Sequence, residues 1–451
     1  MLDFKRNISI NLQEWKQRKD RKPLVLRGAR QVGKTTLIKQ FAKTYTNSIL
    51  LNLEKKSDVF YFQEYDDVKT IIESLFLAHN ISKSKLGSTL LFIDEIQESP
   101  EAIQFLRYFY EETPELHVIA AGSLLEFAMR NVKNFPVGRI EYLYLHPLNF
   151  PEYIEAIEHQ QALKQLDTLP VKPFAHKILL DLFNHYAIIG GMPEIVKTYI
   201  KHKTITDLPR IYESIWETYK NDVEKYSSNS TEQKVLKHIV ATAHLYLDQR
   251  IKFHNFGKSN YKSREVGEAM RNLDDAKIIR LIYPTTDTEP PVKQDVKKSP
   301  RLQFLDTGLV NYSLGIQAEM LALSDLSSLY RGSLIPHLIT QEIISINALS
   351  NKKNNFWVRE KKQSSSEVDL VLTYKNKVIP VEIKSGSTGS LKSLHQFVKQ
   401  CKHPYAVRMY AGKFNIEKTK TPNGTPYLLM NLPYYLGTKI YDYIDYFISN
   451  Y

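Results

Sequence analysis

The 451-residue sequence contains little cysteine and no long apolar run, and each shortage excludes a class of protein. Cys401 is the single cysteine, so the chain cannot form an intramolecular disulfide or a thiolate zinc site. No segment reaches the roughly 18 consecutive apolar residues that a membrane-spanning helix requires. The N-terminal residues also lack the apolar segment of a secretory signal. We therefore expect a cytoplasmic protein that makes no membrane contact.

The positive charge of the chain is concentrated in one C-terminal stretch. The formal net charge is +12, and residues 351–420 contain 15 Lys and Arg against five Asp and Glu, a net charge of +10. The remaining composition is ordinary for a folded protein, with 43% hydrophobic and 24% charged residues. Because a focused basic surface attracts polyanions, we expect DNA as a partner, with a merely solvated lysine-rich surface as the alternative.

Apolar segments alternate with helical segments through the first third of the chain. Strands that are apolar throughout and separated by helices indicate a parallel sheet covered by helices on both faces. The sequence therefore predicts an N-terminal parallel α/β domain. Its predicted strands lie at residues 24–26, 49–53, 90–94, 116–121 and 140–145.

A phosphate-binding loop follows the first of these strands. Residues 28–35 fit the pattern G-x-x-x-x-G-K-[ST] and open a helix, which is the context that this motif requires. The backbone N–H groups would cradle phosphate, Lys34 would reach the β- and γ-phosphates, and Thr35 would bind Mg²⁺. We therefore predict ATP and Mg²⁺ as cofactors of a P-loop ATPase domain at residues 1–150. The predicted nucleotide-binding residues are Gly28, Ala29, Arg30, Gln31, Val32, Gly33, Lys34, Thr35, Thr36 and Asp94.

Two acidic residues end the strand at 90–94, at the sheet edge where ligands bind in parallel α/β proteins. Asp94 would hold Mg²⁺, and Glu95 would polarise the water that attacks the γ-phosphate. Ser123 follows the next strand and is either a sensor of the γ-phosphate or a simple turn residue. Arg139 either stabilises charge in the transition state or forms an ordinary salt bridge.

The middle of the chain has helical periodicity. Residues 151–230 form a predicted helical lid or linker, and residues 231–324 have the pattern of a winged helix-turn-helix. Its second helix, at 261–276, carries both basic and acidic residues, so a DNA contact and a structural lid both stay open. The proline- and lysine-rich residues 284–300 are predicted to be an exposed loop that resembles a wing.

The last segment, residues 325–451, is predicted to be a restriction-endonuclease-like α/β domain. Asp369 lies on one predicted strand, and Glu382 and Lys384 share a face of the next. Asp followed by Glu-x-Lys on adjacent antiparallel strands is the arrangement of the PD-(D/E)XK nucleases. There the two carboxylates bind Mg²⁺, which activates water, and the lysine helps to orient the nucleophile. Glu342, on the preceding helix, is a candidate third carboxylate.

Further polar residues surround this constellation in the basic stretch. Phosphate contacts are predicted for Lys361, Lys362, Lys392 and Lys399, with Gln396 as a supporting residue. A surface Glu-x-Lys on an amphipathic strand is common, so the sequence leaves open whether the site is catalytically active.

Six motifs in combination resemble a widespread prokaryotic family of AAA+-superfamily ATPases with a C-terminal nuclease-like domain of unknown function. They are GARQVGKTT, LLFIDEIQESPE, IAAGSLLEF, GRIEYLYLHPLNFPEYI, GGMPEIV and, at residues 304–315, FLDTGLVNYSLG. The chain departs from that family at Pro336, where a glutamate is frequent. If that glutamate is a metal ligand in the family, this nuclease-like site is degenerate unless Glu342 substitutes for it.

The sequence as a whole predicts an ATP-hydrolysing protein that acts on DNA, with the nuclease-like domain gated or positioned by the ATPase. One alternative is a DNA-binding ATPase whose nuclease fold is inactive. Another is a nucleotide-dependent switch that binds a protein partner. A homo-oligomer is compatible with each of these hypotheses.

Overall fold

The computed structural model describes residues 4–122, 125, 136, 138–223, 227, 229–317, 332–350, 354–359, 366–384 and 390–451. The chain forms two compact units. The first contains residues 1–147 with short segments at 275–277 and 347–351, and the second contains the rest. Among the described helices, none is long and apolar enough to cross a membrane.

The first unit is a five-stranded parallel sheet with helices. Its strand order is β2-β3-β4-β1-β5, and each neighbouring pair is parallel. The predicted parallel α/β fold is therefore confirmed. Its elements are α1 (Ser9–Gln17), β1 (Leu24–Arg27), α2 (Lys34–Ala42), β2 (Asn47–Asn52), α3 (Lys56–Glu64), α4 (Val68–Ala78), β3 (Thr89–Asp94), α5 (Pro100–Glu112), β4 (His117–Ala121) and β5 (Glu141–Tyr144).

Local sequence explains where the helices of this unit begin. Asp67 accepts a hydrogen bond from the Thr70 backbone N–H at the start of α4, and Ser99 caps α5 before a proline at its first position. The strands β3 and β4 are buried along their whole length, as strands covered on both faces must be.

The second unit combines a helical part with a larger mixed sheet, as predicted in outline. Its helices are α6 (Phe150–Ala156), α7 (Gln160–Leu166), α8 (His176–Ile189), α9 (Pro193–His202), α10 (Pro209–Asp222), α11 (Ser230–Thr242), α12 (Ser263–Asp275), α13 (Thr307–Leu314), α14 (Leu334–Ser345), α15 (Lys392–Val398) and α16 (Ile440–Asn450). Its strands are β6 (Ile279–Ile282), β7 (Pro284–Thr285), β8 (Arg301–Phe304), β9 (Asn355–Val358), β10 (Glu367–Tyr374), β11 (Lys377–Ile383), β12 (Tyr405–Tyr410), β13 (Asn415–Lys420) and β14 (Pro426–Pro433).

Seven strands form the large sheet in the order β13-β14-β12-β11-β10-β9-β7. The strands β9, β10 and β11 pair antiparallel in chain order, as the predicted meander requires. Beyond β11 the sheet continues through parallel pairing with β12 and β14. The strands β6 and β8 form a separate antiparallel pair. The division of this unit at residues 230 and 324 stays a prediction, as does the boundary at 150.

The start of the predicted wing differs from expectation. Residues 284–285 are buried and form β7, which pairs in parallel with β9 at the edge of the large sheet. The Trp357 indole N–H donates to the Thr286 carbonyl at 3.1 Å, and the Asn355 amide donates to the Tyr283 carbonyl at 2.9 Å. The prediction of an exposed loop was therefore wrong for its first residues, because they complete a sheet edge formed by distant residues.

Two motifs of the family resemblance pack against each other between α8 and α13. The Asp306 carboxylate caps α13 by accepting from the Leu309 N–H at 3.2 Å, and it accepts from the Gly191 N–H at 2.6 Å. A side chain at Gly308 would overlap the Ile189 carbonyl oxygen. The glycine and aspartate of these motifs therefore serve packing of the fold.

Candidate functional site

The phosphate-binding loop connects β1 to α2. Gly33 precedes α2 in the left-handed conformation, with φ of 96°, which favours glycine. A side chain at Gly28 would overlap the Leu145 carbonyl oxygen, so only glycine fits there. Both glycines of the sequence motif are therefore required by the backbone path of the loop.

Lys34 is buried, and its amine lies among the carbonyl groups of the loop. Its Nζ donates to the Gly28 and Ala29 carbonyl oxygens at 2.9 Å each. These contacts hold a full positive charge within the loop whose N–H groups form the predicted phosphate cradle. The amine is thus positioned for an anionic ligand, and phosphate oxygens are stronger acceptors for it than neutral carbonyls.

The two predicted Mg²⁺ ligands of the nucleotide site lie side by side. The Thr35 hydroxyl donates to Asp94 Oδ2 at 2.6 Å, although the residues are far apart in sequence. Burial raises the pKa of Asp94, and the hydrogen bond from Thr35 opposes that shift. A hydroxyl and a carboxylate are the oxygen ligands that Mg²⁺ prefers, so these residues fit the ion.

Glu95 is held by a residue that the sequence analysis missed. Its Oε2 accepts from the Gln97 amide at 2.6 Å, and its backbone is left-handed, with φ of 51°. A side chain on Gly122 would overlap the Gln97 amide oxygen, so this amide lies against the end of β4. Gln97 therefore links Glu95 to the strand that precedes Ser123, which itself lies outside the described residues.

Arg139 lies at the surface in an ion pair. Its Nε contacts Glu111 Oε1 at 3.1 Å, and Arg107 pairs with the same carboxylate at 3.0 Å. The pKa of Glu111 is lowered, chiefly by Arg107 and also by Arg139. The structure thus places Arg139 in a salt bridge, and any role toward nucleotide stays a prediction.

The three residues of the PD-(D/E)XK pattern come together on adjacent strands. Asp369 lies on β10, and its Oδ2 accepts from the backbone N–H of Ile383 at 2.8 Å. Lys384 Nζ contacts Glu382 Oε1 at 2.6 Å. Burial, and then the charge of Asp369, raise the pKa of Glu382 to about 8.

A buried arginine that the sequence analysis missed lies beside these residues. Arg301, on β8, contacts Asp369 Oδ1 through Nη1 at 3.1 Å and Glu367 Oε2 through Nη2 at 3.1 Å. Its guanidinium lies 4.7 Å from the centre of the Phe356 ring. Asp248 is 3.7 Å away, and burial raises its pKa to about 7.

Glu342 does not join this cluster. It is fully buried on α14, where Oε1 accepts from the Tyr186 hydroxyl at 2.7 Å and Oε2 from the Phe150 N–H at 3.0 Å. Burial raises its pKa to about 8. Among the described residues, no group of three or more His, Cys, Asp and Glu is placed to hold a metal. The described structure therefore does not bring the predicted metal set of Glu342, Asp369 and Glu382 together, because both oxygens of Glu342 bind donors elsewhere.

The basic stretch presents lysines on several elements. Those that are exposed in the described residues are Lys375, Lys392, Lys399, Lys402, Lys413, Lys418 and Lys420. Lys361 and Lys362 lie outside the described residues, and Gln396 is partly buried. On α12, Arg264 pairs with Glu268 at 3.0 Å, so an acidic residue of the helix offsets part of its positive charge.

Comparison with known domains agrees with the geometry of the first unit. Residues 20–154 match the AAA domain, and this match contains the loop, Lys34, Asp94 and Glu95. This part of the chain thus matches an AAA domain and has the parallel sheet that is typical of P-loop ATPases. Residues 180–320 match a domain of unknown function, DUF8612, and residues 331–430 match another, DUF4143. No curated protein matches the chain.

Two solved structures of archaeal ATPases are similar at low identity. A Walker-type ATPase of Pyrococcus abyssi has a TM-score of 0.44 and 16% identity, covering 69% of this chain and 96% of that one. A signal-transduction ATPase with numerous domains and a tetratricopeptide-repeat sensor, from Pyrococcus horikoshii, has a TM-score of 0.28 and 13% identity. That match covers 74% of this chain and 47% of the other.

Proposed function

We propose that this protein hydrolyses ATP with Mg²⁺ and that its nucleotide state controls how the basic C-terminal segment binds DNA. The observation that carries the ATPase part is the 2.6 Å contact between Thr35 and Asp94, close to the buried amine of Lys34. These three groups are the ones that P-loop ATPases use for metal and phosphate.

Each residue of the nucleotide site has a chemical role in this proposal. Lys34 would exchange its loop carbonyls for phosphate oxygens, and Thr35 and Asp94 would hold Mg²⁺. Mg²⁺ bound with ATP offsets charge that develops on the phosphate oxygens. Glu95 accepts a hydrogen bond from the attacking water and orients it, and Gln97 positions the Glu95 carboxylate.

The DNA part rests on the exposed lysines of the large sheet. Lys418 and Lys420 lie on the same face of the edge strand β13, because alternate residues of a strand share a face. Lys392 begins α15, and Lys399 immediately follows it. Such lysines bind backbone phosphate without reading sequence, so we expect binding that weakens steeply with salt.

Binding is favoured over cleavage by the contacts of the nuclease-like residues. Asp369 accepts from a guanidinium and a backbone N–H, and Glu382 is paired with Lys384. Both carboxylates are thus engaged within the protein. We therefore propose a DNA-binding ATPase, and treat metal-dependent cleavage as an outcome that the experiments can detect.

The ATPase part is tested by phosphate release from ATP and Mg²⁺. Lys34→Ala should lower the rate at least about 100-fold, since it removes a charge that stabilises the transition state. Turnover that survives in Lys34→Ala would refute hydrolysis at this site.

The DNA part is tested by fluorescence anisotropy of a labelled duplex at several salt concentrations, with ADP and with ATP. The Lys418→Glu/Lys420→Glu variant should reduce the slope of log affinity against log salt by about 2, as expected for two lost phosphate contacts. Lys55→Glu/Lys56→Glu makes the same charge change at exposed positions of the first unit and serves as the matched control. Equal slopes in both variants, or equal affinity with ADP and ATP, would contradict the proposal. No detectable binding of the duplex at any salt concentration would favour the protein-partner switch.

A further inference from the structure

The carboxylate cluster of the C-terminal sheet contains its own cation. The Arg301 side chain is only 12% exposed and lies among Asp369, Glu367 and Asp248. Its two terminal nitrogens contact two different carboxylates at 3.1 Å each, while the planar group stacks near Phe356. This fork geometry uses the directional donors of a guanidinium and would not be reproduced by a lysine.

The residues present do not fit the metal that the PD-(D/E)XK pattern implies. Mg²⁺ needs a near-octahedral set of oxygens, with several from carboxylates or water. One oxygen of Asp369 accepts from Arg301, and the other accepts from the Ile383 N–H. Glu382 Oε1 contacts Lys384, which leaves Oε2 as the one buried oxygen of this pair with no hydrogen-bond partner in the described chain. One such oxygen is not a magnesium site.

We infer that Arg301 is the resident cation of this cluster, that Asp369 and Glu382 bind no divalent metal, and that the cluster joins β8 to β10 without cutting DNA. The position of the guanidinium carries the inference. A metal at Asp369 Oδ1 would have to displace the buried Arg301 guanidinium from that carboxylate. A buried charge that loses its partners is strongly destabilising.

Three cationic side chains already contact carboxyl groups of the cluster. Arg301 pairs with Asp369, Arg250 pairs with Glu367 at 2.7 Å, and Lys384 pairs with Glu382. A divalent ion would therefore compete with three resident cations for these carboxyl groups.

Titration of the nucleotide-free full chain with Mn²⁺, followed by electron paramagnetic resonance, tests the metal part directly. The wild-type protein and Asp369→Asn should bind the same number of Mn²⁺ ions, because the nucleotide site contributes equally to both. Loss of one Mn²⁺ ion in Asp369→Asn would overturn the inference. Asp369-dependent nicking of supercoiled DNA in Mn²⁺ would overturn it as well.

Thermal unfolding tests whether Arg301 is the partner of Asp369. Asp369→Asn should lower the melting temperature of the wild-type protein, and should have a much smaller effect when added to Arg301→Met. Equal effects in both backgrounds would contradict the inference. The exposed pair Arg264 and Glu268, changed to Met and Gln, is the matched control and should show little change. If Arg301→Met does not fold, the Mn²⁺ comparison between wild type and Asp369→Asn still decides the question.

This inference deepens the non-cleaving part of the proposed function and is independent of its ATPase and DNA-binding parts. A protein that fails to bind DNA or hydrolyse ATP could still hold Arg301 in this position. A metal-binding Asp369 would likewise leave the ATPase measurements unchanged.

Discussion

Replacing Glu342 with glutamine should remove a loss of stability that this buried carboxyl causes as the pH rises. Glu342 is 1% exposed, and burial raises its pKa from the ordinary 4.5 to about 8 despite hydrogen bonds from Tyr186 and Phe150. The folded protein therefore keeps this proton over a pH range in which the unfolded chain has released it. Glutamine has the same shape and does not titrate there.

The sign and size of the effect follow from proton linkage. Below about pH 4.5 both states are protonated at Glu342, so the residue does not make stability depend on pH. Between about pH 5 and pH 8 only the folded state binds the proton. The free energy of unfolding therefore falls by about 1.4 kcal/mol for each pH unit of increase. Above about pH 8 both states are ionised, and the dependence ends. The variant should gain stability relative to wild type over that interval, on the order of 4 kcal/mol.

Urea unfolding of wild type and Glu342→Gln at pH 5, 6, 7 and 8 measures this difference. Asp248, Asp306 and Glu382 also have raised pKa values, so the wild-type curve alone cannot isolate one residue. The difference in the free energy of unfolding between the two proteins does isolate Glu342, because the other carboxyls are common to both. A difference that is flat with pH would mean that Glu342 is ionised in the folded protein, and the reasoning from burial would be refuted. A difference that appears only with Mg²⁺ would restore Glu342 as a metal ligand.

Three further predictions concern hydrolysis, the surface arginine and packing. Glu95→Gln should slow phosphate release at least about 100-fold while ATP binds within about threefold of wild type, since only the general base is lost; weakened ATP binding in an equilibrium titration would contradict that role. Arg139→Ala should leave the ATPase rate within about twofold, because its exposed pair with Glu111 contributes little; a tenfold fall would make Arg139 part of the reaction. Gly308→Ala should lower the free energy of unfolding by about 3 kcal/mol through overlap with the Ile189 carbonyl. Gly87→Ala, whose nearest neighbour is 4.0 Å away, should change it by less than about 1 kcal/mol in the same urea titration.

The nucleotide site could be predicted because its signals are local in sequence. The glycine spacing of the loop fixes its backbone. Because β1 leads into this loop and β3 ends at Asp94, Lys34 and Asp94 lie at the same edge of the sheet. The contact between Thr35 and Asp94 spans many residues, yet it follows from the general rule that parallel strands present their C-terminal ends together. Gln97 escaped prediction because its partner depends on the left-handed turn at Glu95.

The C-terminal sheet could be predicted only in part. The meander of β9, β10 and β11 has alternating strands and a tight turn, both of which are visible in sequence. Arg301 has no such signal, because it reaches Asp369 from a strand that belongs to a different sheet. The surroundings of the Glu342 side chain could not be predicted either. Its helix is buried on nearly every side, so a polar residue there points into the protein whatever its position.

Two of the carboxylates predicted to bind metal, Asp94 and Asp369, differ in what a metal would have to replace. Asp94 accepts from a neutral hydroxyl, and Thr35 can turn its oxygen toward an incoming ion because a hydroxyl both donates and accepts. Asp369 accepts from a guanidinium, which has no lone pair to offer and stays charged at every accessible pH. Metal binding at the first site would therefore exchange one favourable contact for another, whereas at the second it would bring two positive groups together in a buried space. Acidic residues at the end of a strand thus predict a metal site only when the group beside them can become a ligand too.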